Sequence, residues 1–298
     1  MKVHHLTCLA SVLTAFAFAA DVSAPPAEPI TQGQRVYAMG HSFHVGLPPI
    51  IQQIAKSAGI ADHQIAGVSS IGGSQVIQHW NEKNRAALAA GNVDVATLTP
   101  IYLPDDGIEK FAKLSLEAPS HFRVTVQEFW LPFDAYEPHY YHLPPKKPTP
   151  ATVDHNAPTG ESLRKMHAQY FDEMDALVRS VNQKLGKQVL FVVPVGQAVI
   201  ALREKIIAGQ APGLQAQAEL FTDALGHPTA PLQVLIAYCH FSVIYRRTPV
   251  GLPLPDVLAK ARKPNWDEKL NRLLQELAWD AVTHHPLSGV SATQPAKP

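Results

Sequence analysis

Residues 35–58 read RVYAMGHSFHVGLPPIIQQIAKSA, and this stretch decides the fold. Val36, Tyr37, Ala38 and Met39 form a short apolar run that stops at Gly40. A run of that length closed by a glycine predicts a buried strand. From residue 47 to 58 the apolar side chains change to helical spacing, with Ile50, Ile51, Ile54 and Ala55 on one face. A strand leading directly into a helix is the opening half of a βαβ unit.

The same alternation continues down the chain. Strands are predicted at 65–68, 93–98, 122–126 and 189–193, with helices at 74–90, 106–116, 162–185 and 197–207. Gly186 is a suitable residue to end the long fourth helix. Residues 231–245 are apolar enough for a buried helix, and 266–283 form an amphipathic terminal one. Alternating strands and helices predict an α/β fold, a three-layer α/β/α sandwich with a mainly parallel, flavodoxin-like sheet. No internal repeat or change of composition divides residues 34–285, so they are read as one domain. Within it, residues 130–158 (WLPFDAYEPHYYHLPPKKPTPATVDHNAP) read as a long loop rich in proline and aromatics.

The flanks have a different character. Residues 1–20 combine Lys2, an apolar run over 9–20 and Ala17-Phe18-Ala19, the pattern of a secretory signal peptide. This predicts export to the periplasm or the extracellular space, with no stable membrane insertion after cleavage. Residues 21–33 read as a disordered leader and 286–298 as a disordered tail.

Composition narrows the function. The 298 residues carry 25 basic and 25 acidic side chains, so no charge surplus favours nucleic acid. Of two cysteines, cleavage removes Cys8 and leaves Cys239 inside an apolar helix, read as core. No Walker or dinucleotide glycine motif occurs, and no cofactor is expected. The pairs His41/His44 and His139/His142 lack the further ligands that zinc needs, so no metal is expected.

Ligands of open parallel sheets bind beyond the carboxyl ends of the strands. After the first strand comes Gly40-His41-Ser42-Phe43-His44, where a serine can present its hydroxyl at the sheet edge. After the second comes Ser70-Ile71-Gly72-Gly73-Ser74, where the Gly73 N–H can approach a substrate oxygen. Asp223 and His227 stand just ahead of a late helix, an acid and an imidazole near enough to share a hydrogen bond. Together these residues can form a nucleophilic triad.

In those same segments the chain resembles the SGNH/GDSL hydrolases. YAMGHSFHVGLPPIIQQIAKSAG is similar to their first block, GVSSIGGSQVIQHW to their second, and DALGHPTAPLQVLIAYCHFSVIYRRTPVGLP to their last. The resemblance spans about residues 34–255. It implies Ser42 as nucleophile, His227 as general base and Asp223 as the acid that orients it. It also implies an oxyanion hole built from the backbone N–H groups of Ser42 and Gly73.

Three departures stand out. His41 occupies the place of the family's acid or amide before the serine, and Asp223 and His227 are four residues apart, where the family has three. The third departure is the absence of the asparagine after the third strand, where this chain reads ATLTPIYLPDDG. Losing one oxyanion donor typically costs about two to three powers of ten in turnover. Thr99, Tyr102 and Gln127 are the polar residues placed to replace it.

The expected function is an exported serine esterase, with O-acyl groups on carbohydrate as the favoured substrate class. His41, Gln127, Trp130 and Tyr140 are expected to line the substrate site, since aromatic loop residues stack well on sugar rings. The alternative is an SGNH-fold carbohydrate-binding protein without catalysis.

Overall fold

The apolar runs become the strands of one sheet in the computed structural model, which describes residues 28–130 and 153–291. β1 (Arg35–Gly40), β2 (Gln64–Ser70), β3 (Val95–Leu98), β4 (Arg123–Gln127) and β5 (Leu190–Val193) lie in the order β2-β1-β3-β4-β5. Every neighbouring pair is parallel. The four strands from β1 to β5 are buried almost end to end, as expected where both faces are covered. β2 is an edge strand of alternating exposure.

The helices are α1 (Pro48–Ser57), α2 (Glu82–Ala89), α3 (Asp106–Glu117), α4 (Gly160–Leu185), α5 (Val195–Ile207), α6 (Ala230–Tyr245), α7 (Asp256–Ala259) and α8 (Glu268–His284). Crossovers between parallel strands are right-handed. The step from β1 to β2 runs one way and the later steps the other, so α1 falls on one face and α2, α3 and α4 on the opposite one. The packing agrees, with α1 against α6 and α6 against α8, while α3 meets α2 and α4. This is an α/β/α sandwich.

Helix α6 is buried around nearly its whole circumference, as its largely apolar sequence requires. It begins just after His227 and runs back to the amino ends of the strands. There the Ile30 N–H donates to the Tyr245 carbonyl at 2.8 Å. Among the described residues, no helix is long and apolar enough to cross a membrane.

Some boundaries differ from the sequence reading. The helix expected at 74–90 is interrupted: a 3₁₀ turn covers Val76–His79 and α2 starts afresh at Glu82. Asn81 is the cause, because its side chain accepts the Asn84 N–H as an N-cap, which suits asparagine better than a helix interior. The expected leader is tied down over residues 28–33, where the Gly33 N–H also donates to Asp62 Oδ1 at 2.9 Å. The expected tail packs too: Leu287 and Val290 are buried, and the Val192 N–H donates to the Leu287 carbonyl. Apolar side chains that can reach β5 outweigh the entropy of a free end. The expected signal peptide, residues 131–152 and residues 292–298 lie outside the described residues.

Candidate active site

β1 has β2 on one side and β3 on the other, so the strand order reverses at β1, the point beyond which open parallel sheets bind their ligands. A side chain on Gly40 would come within 3.1 Å of Thr99 Cβ and Oγ1, so glycine lets the two strand ends lie close. The chain then turns sharply, with the N–H groups of His44 and Val45 both donating to the His41 carbonyl. In this turn His41 and Phe43 are buried and Ser42 is exposed between them.

The acid and the imidazole sit on a second turn, closed at its base where the Thr222 N–H donates to the His227 carbonyl at 2.8 Å. The Gly226 N–H donates to the Asp223 carbonyl, and Gly226 adopts φ +84°, open to glycine without strain. That left-handed residue accommodates the four-residue spacing. Asp223 Oδ1 accepts the His227 backbone N–H at 3.2 Å, and Oδ2 contacts the ring Nδ1 at 2.6 Å. His227 Nε2 lies 2.8 Å from Ser42 Oγ.

These contacts fix the proton positions. Burial acts to raise the Asp223 pKa, but hydrogen bonds from the His227 backbone and ring outweigh it and hold the carboxyl below its usual range. An ionised carboxylate only accepts, so Nδ1 carries the ring proton and Nε2 keeps a lone pair for the Ser42 hydroxyl. The Asp223 carbonyl is held in turn by His155 Nε2 at 3.0 Å. His155 is itself fixed by Arg203, whose Nη2 donates to its carbonyl. The Phe43 ring stacks on the face of the His227 imidazole.

The loop after β2 runs beside the Ser42 turn. Gly40 pairs with Ser70, and the Ile71 N–H donates to the Gly40 carbonyl at 3.2 Å. Gly73 follows, exposed and at φ +62°, with open space where a side chain would project. Among the described residues, the Ser42 and Gly73 N–H groups donate to no protein acceptor.

The expected substrate-binding residues are placed differently. His41 is sealed between Phe43 and Phe129, with its pKa pushed down to about 3 by burial and by the imidazoles of His44, His79 and His227. Trp130 is 1% exposed and packs on Phe129 and Phe43. Gln127 is fully buried, its Oε1 accepting from His44 Nδ1 at 3.2 Å and from His240 Nε2 at 2.7 Å. These three build the floor under the site and offer no surface to a substrate; Tyr140 lies outside the described residues. Aromatic and amide side chains at strand ends read equally well as rim or as floor, and the neighbouring strands choose the floor. Of the polar residues placed to replace the missing asparagine, Thr99 and Gln127 are enclosed as well.

No family model matches the chain, and no curated protein does. A crystal structure of a DUF4886 family protein from Bacteroides uniformis is similar, at 14% identity over 85% of this chain and 95% of that one, with a TM-score of 0.49. At that distance the chemistry has to be read from the residues themselves.

Several supporting residues left no signal in the sequence. Phe43, which stands inside the first motif with no role read for it, stacks on His227, and His155 reaches the Asp223 carbonyl from a position without any motif. His79 bridges Ser69 and Ser74 across the second turn, and only the Gly-Gly ahead of it hinted that this turn mattered. Among the described residues, no three His, Cys, Asp or Glu side chains converge to hold a metal ion.

Proposed function

We propose that this protein is a serine hydrolase acting on carboxylic esters. The observation that carries the reading is the continuous contact from Ser42 Oγ through His227 to Asp223, at 2.8 and 2.6 Å. Three residues from two distant turns meet in the order that nucleophilic catalysis needs. Ser42 is exposed, so a substrate can reach it.

In the proposed reaction Ser42 Oγ attacks the ester carbonyl carbon while its proton passes to His227 Nε2. The carbonyl oxygen becomes an anion, held by the N–H groups of Ser42 and Gly73. His227 then gives the proton to the departing alkoxide, which leaves as an alcohol, and Ser42 is left acylated. Water attacks the acyl group, loses a proton to His227 and releases the acid with Ser42 restored. Asp223 holds the imidazole in the tautomer that can accept the first proton.

With no asparagine after β3, the oxyanion hole in this reading is made from backbone alone. Such a hole suits esters, whose alkoxide leaves more readily than an amine. Export through residues 1–20 and O-acyl carbohydrates as substrates complete the proposal. The absent side-chain donor equally motivates a carbohydrate-binding protein without turnover.

The test is hydrolysis of a short activated acyl ester by wild type and by Ser42→Ala. Turnover by wild type and none by a folded variant supports the reading. Equal activity in both removes Ser42 as nucleophile. Silence in both, with saturable binding to an acylated oligosaccharide, favours the binding protein.

A further inference from the structure

The loop that carries Gly72 and Gly73 is held at both of its ends by one side chain. His79 is 1% exposed. Its Nδ1 lies 2.8 Å from Ser69 Oγ, within β2, and its Nε2 lies 2.8 Å from Ser74 Oγ, just past the turn. A single imidazole therefore spans the excursion from strand end to 3₁₀ turn. The 3₁₀ turn is pinned separately, because the Asp105 carboxylate accepts the N–H groups of Val76 and Ile77 at 2.6 and 2.9 Å.

The hydrogen bonds around His79 run in one direction. Tyr37 Oη donates to Asn84 Oδ1, and Asn84 Nδ2 donates to Ser69 Oγ, each at 2.9 Å. The Ser69 hydroxyl is then free to donate to His79 Nδ1, which leaves the proton on Nε2 for Ser74 Oγ. The neutral imidazole satisfies every member of the chain, and burial lowers the His79 pKa and keeps it neutral. Inside the clamped segment the Ser74 N–H donates back to the Ile71 carbonyl, while the N–H groups of Gly72 and Gly73 find no acceptor among the described residues. Two glycines give the turn freedom and an imidazole removes it again.

We infer that His79 is a positioning residue, one that fixes the 71–74 turn so that the Gly73 N–H is already aimed when the oxyanion forms. The inference rests on the ester-hydrolase reading and goes beyond it, because it names what replaces the rigidity that a side-chain donor would have brought. A donor fixed before reaction stabilises developing charge without reorganisation. A displacement of about 1 Å can cost roughly a hundredfold in rate. Ground-state binding of the ester makes little use of that donor, so the effect falls on turnover.

The test uses the full chain and the variants Ser74→Ala, His79→Leu and His79→Gln. Three readouts are taken: ester hydrolysis, inhibition by an alkylboronic acid, and amide exchange at Ser74. Boron accepts Ser42 Oγ as its proton passes to His227, giving a tetrahedral anion that needs the oxyanion donors. Ser74→Ala and His79→Leu are expected to lower kcat by about 10- to 100-fold and to weaken the boronic acid by a similar factor, with KM little changed. The Ser74 amide should exchange faster in both. His79→Gln, which keeps one donor and one acceptor, should recover part of each loss.

Folded variants that match wild type in kcat and boronate affinity overturn the inference. So does a rise in KM equal to the boronate loss, which marks general damage to the site. Should His79→Leu fail to fold, Ser74→Ala decides. If wild type neither hydrolyses the ester nor takes up the boronic acid, the hydrolase reading fails; exchange at Ser74 then judges the clamp by itself, and unchanged exchange overturns it.

Discussion

The rings of Phe43 and His227 lie nearly parallel, 4.5 Å apart at an interplanar angle of 18°. Phe43 follows the proposed nucleophile directly, so the residue next to Ser42 supports the base that Ser42 needs. An aromatic face favours a cation above it by about 0.5–2 kcal/mol. The imidazolium formed during attack therefore gains more from Phe43 than the resting imidazole does. Phe43→Leu is expected to reduce kcat by roughly two- to tenfold. Turnover of an activated ester checks this, and an unchanged kcat would remove Phe43 from the mechanism.

Asp223→Asn keeps the shape of the acid and loses its charge. The amide can turn its N–H₂ toward His227 Nδ1, which forces the ring proton onto Nε2 and removes the acceptor for Ser42. The expected loss in kcat is about four powers of ten, with the fold intact. Ester turnover measured beside circular dichroism distinguishes this from unfolding.

Gln127 gives a contrasting expectation. Replacing it by leucine strips His44 Nδ1 and His240 Nε2 of their shared acceptor in a region closed to water. Buried polar groups left without partners cost about 1–3 kcal/mol each. Gln127→Leu should thus lower the denaturation midpoint, with stability reduced by about 2–4 kcal/mol, while the KM of the folded fraction stays as in wild type. A raised KM at normal stability would restore Gln127 to the substrate site.

His285 makes stability fall on the alkaline side. Burial alone would push its imidazole down, but Asp175 at 3.3 Å and Glu128 at 3.4 Å outweigh that and hold it up at about 9. The folded value lies above the ordinary 6.5, so its contribution is complete below pH 6.5, declines as pH rises, and is lost once pH passes about 9. His44 and His63 act in the opposite sense. Burial pushes both down to about 4, so stability is lost as pH falls from 6.5 toward 4. Melting temperatures from pH 4 to 10 should show both limbs, and His285→Gln should flatten the alkaline one.

How much of this was legible beforehand follows from the range over which each cause acts. Strands β1 to β5 and most helices were readable because apolar periodicity is local, and Gly186 at φ +63° ended α4 where a glycine was expected. Ser42, Asp223 and His227 stand out as candidates in the sequence because each lies at a strand end or a helix start. Their meeting is implied by the family resemblance and not by spacing alone, since it depends on where α6 returns across the sheet. Gln127 and Trp130 were placed on the rim because a sequence cannot tell which polar or aromatic residue another strand will cover. The interruption at Asn81 is hidden in the sequence because an apolar period and an N-cap compete over the same few residues.

The contact between Ile30 and Tyr245 fixes where anything upstream must leave the domain. It lies at the amino ends of the strands, whereas Ser42 stands beyond the carboxyl end of β1, a strand of six residues and therefore about 20 Å long. A purification tag, a bead linkage or a fused partner joined ahead of residue 28 is attached at the pole opposite Ser42. Chains immobilised by that end would hold the Ser42 turn outward, toward bulky or insoluble material.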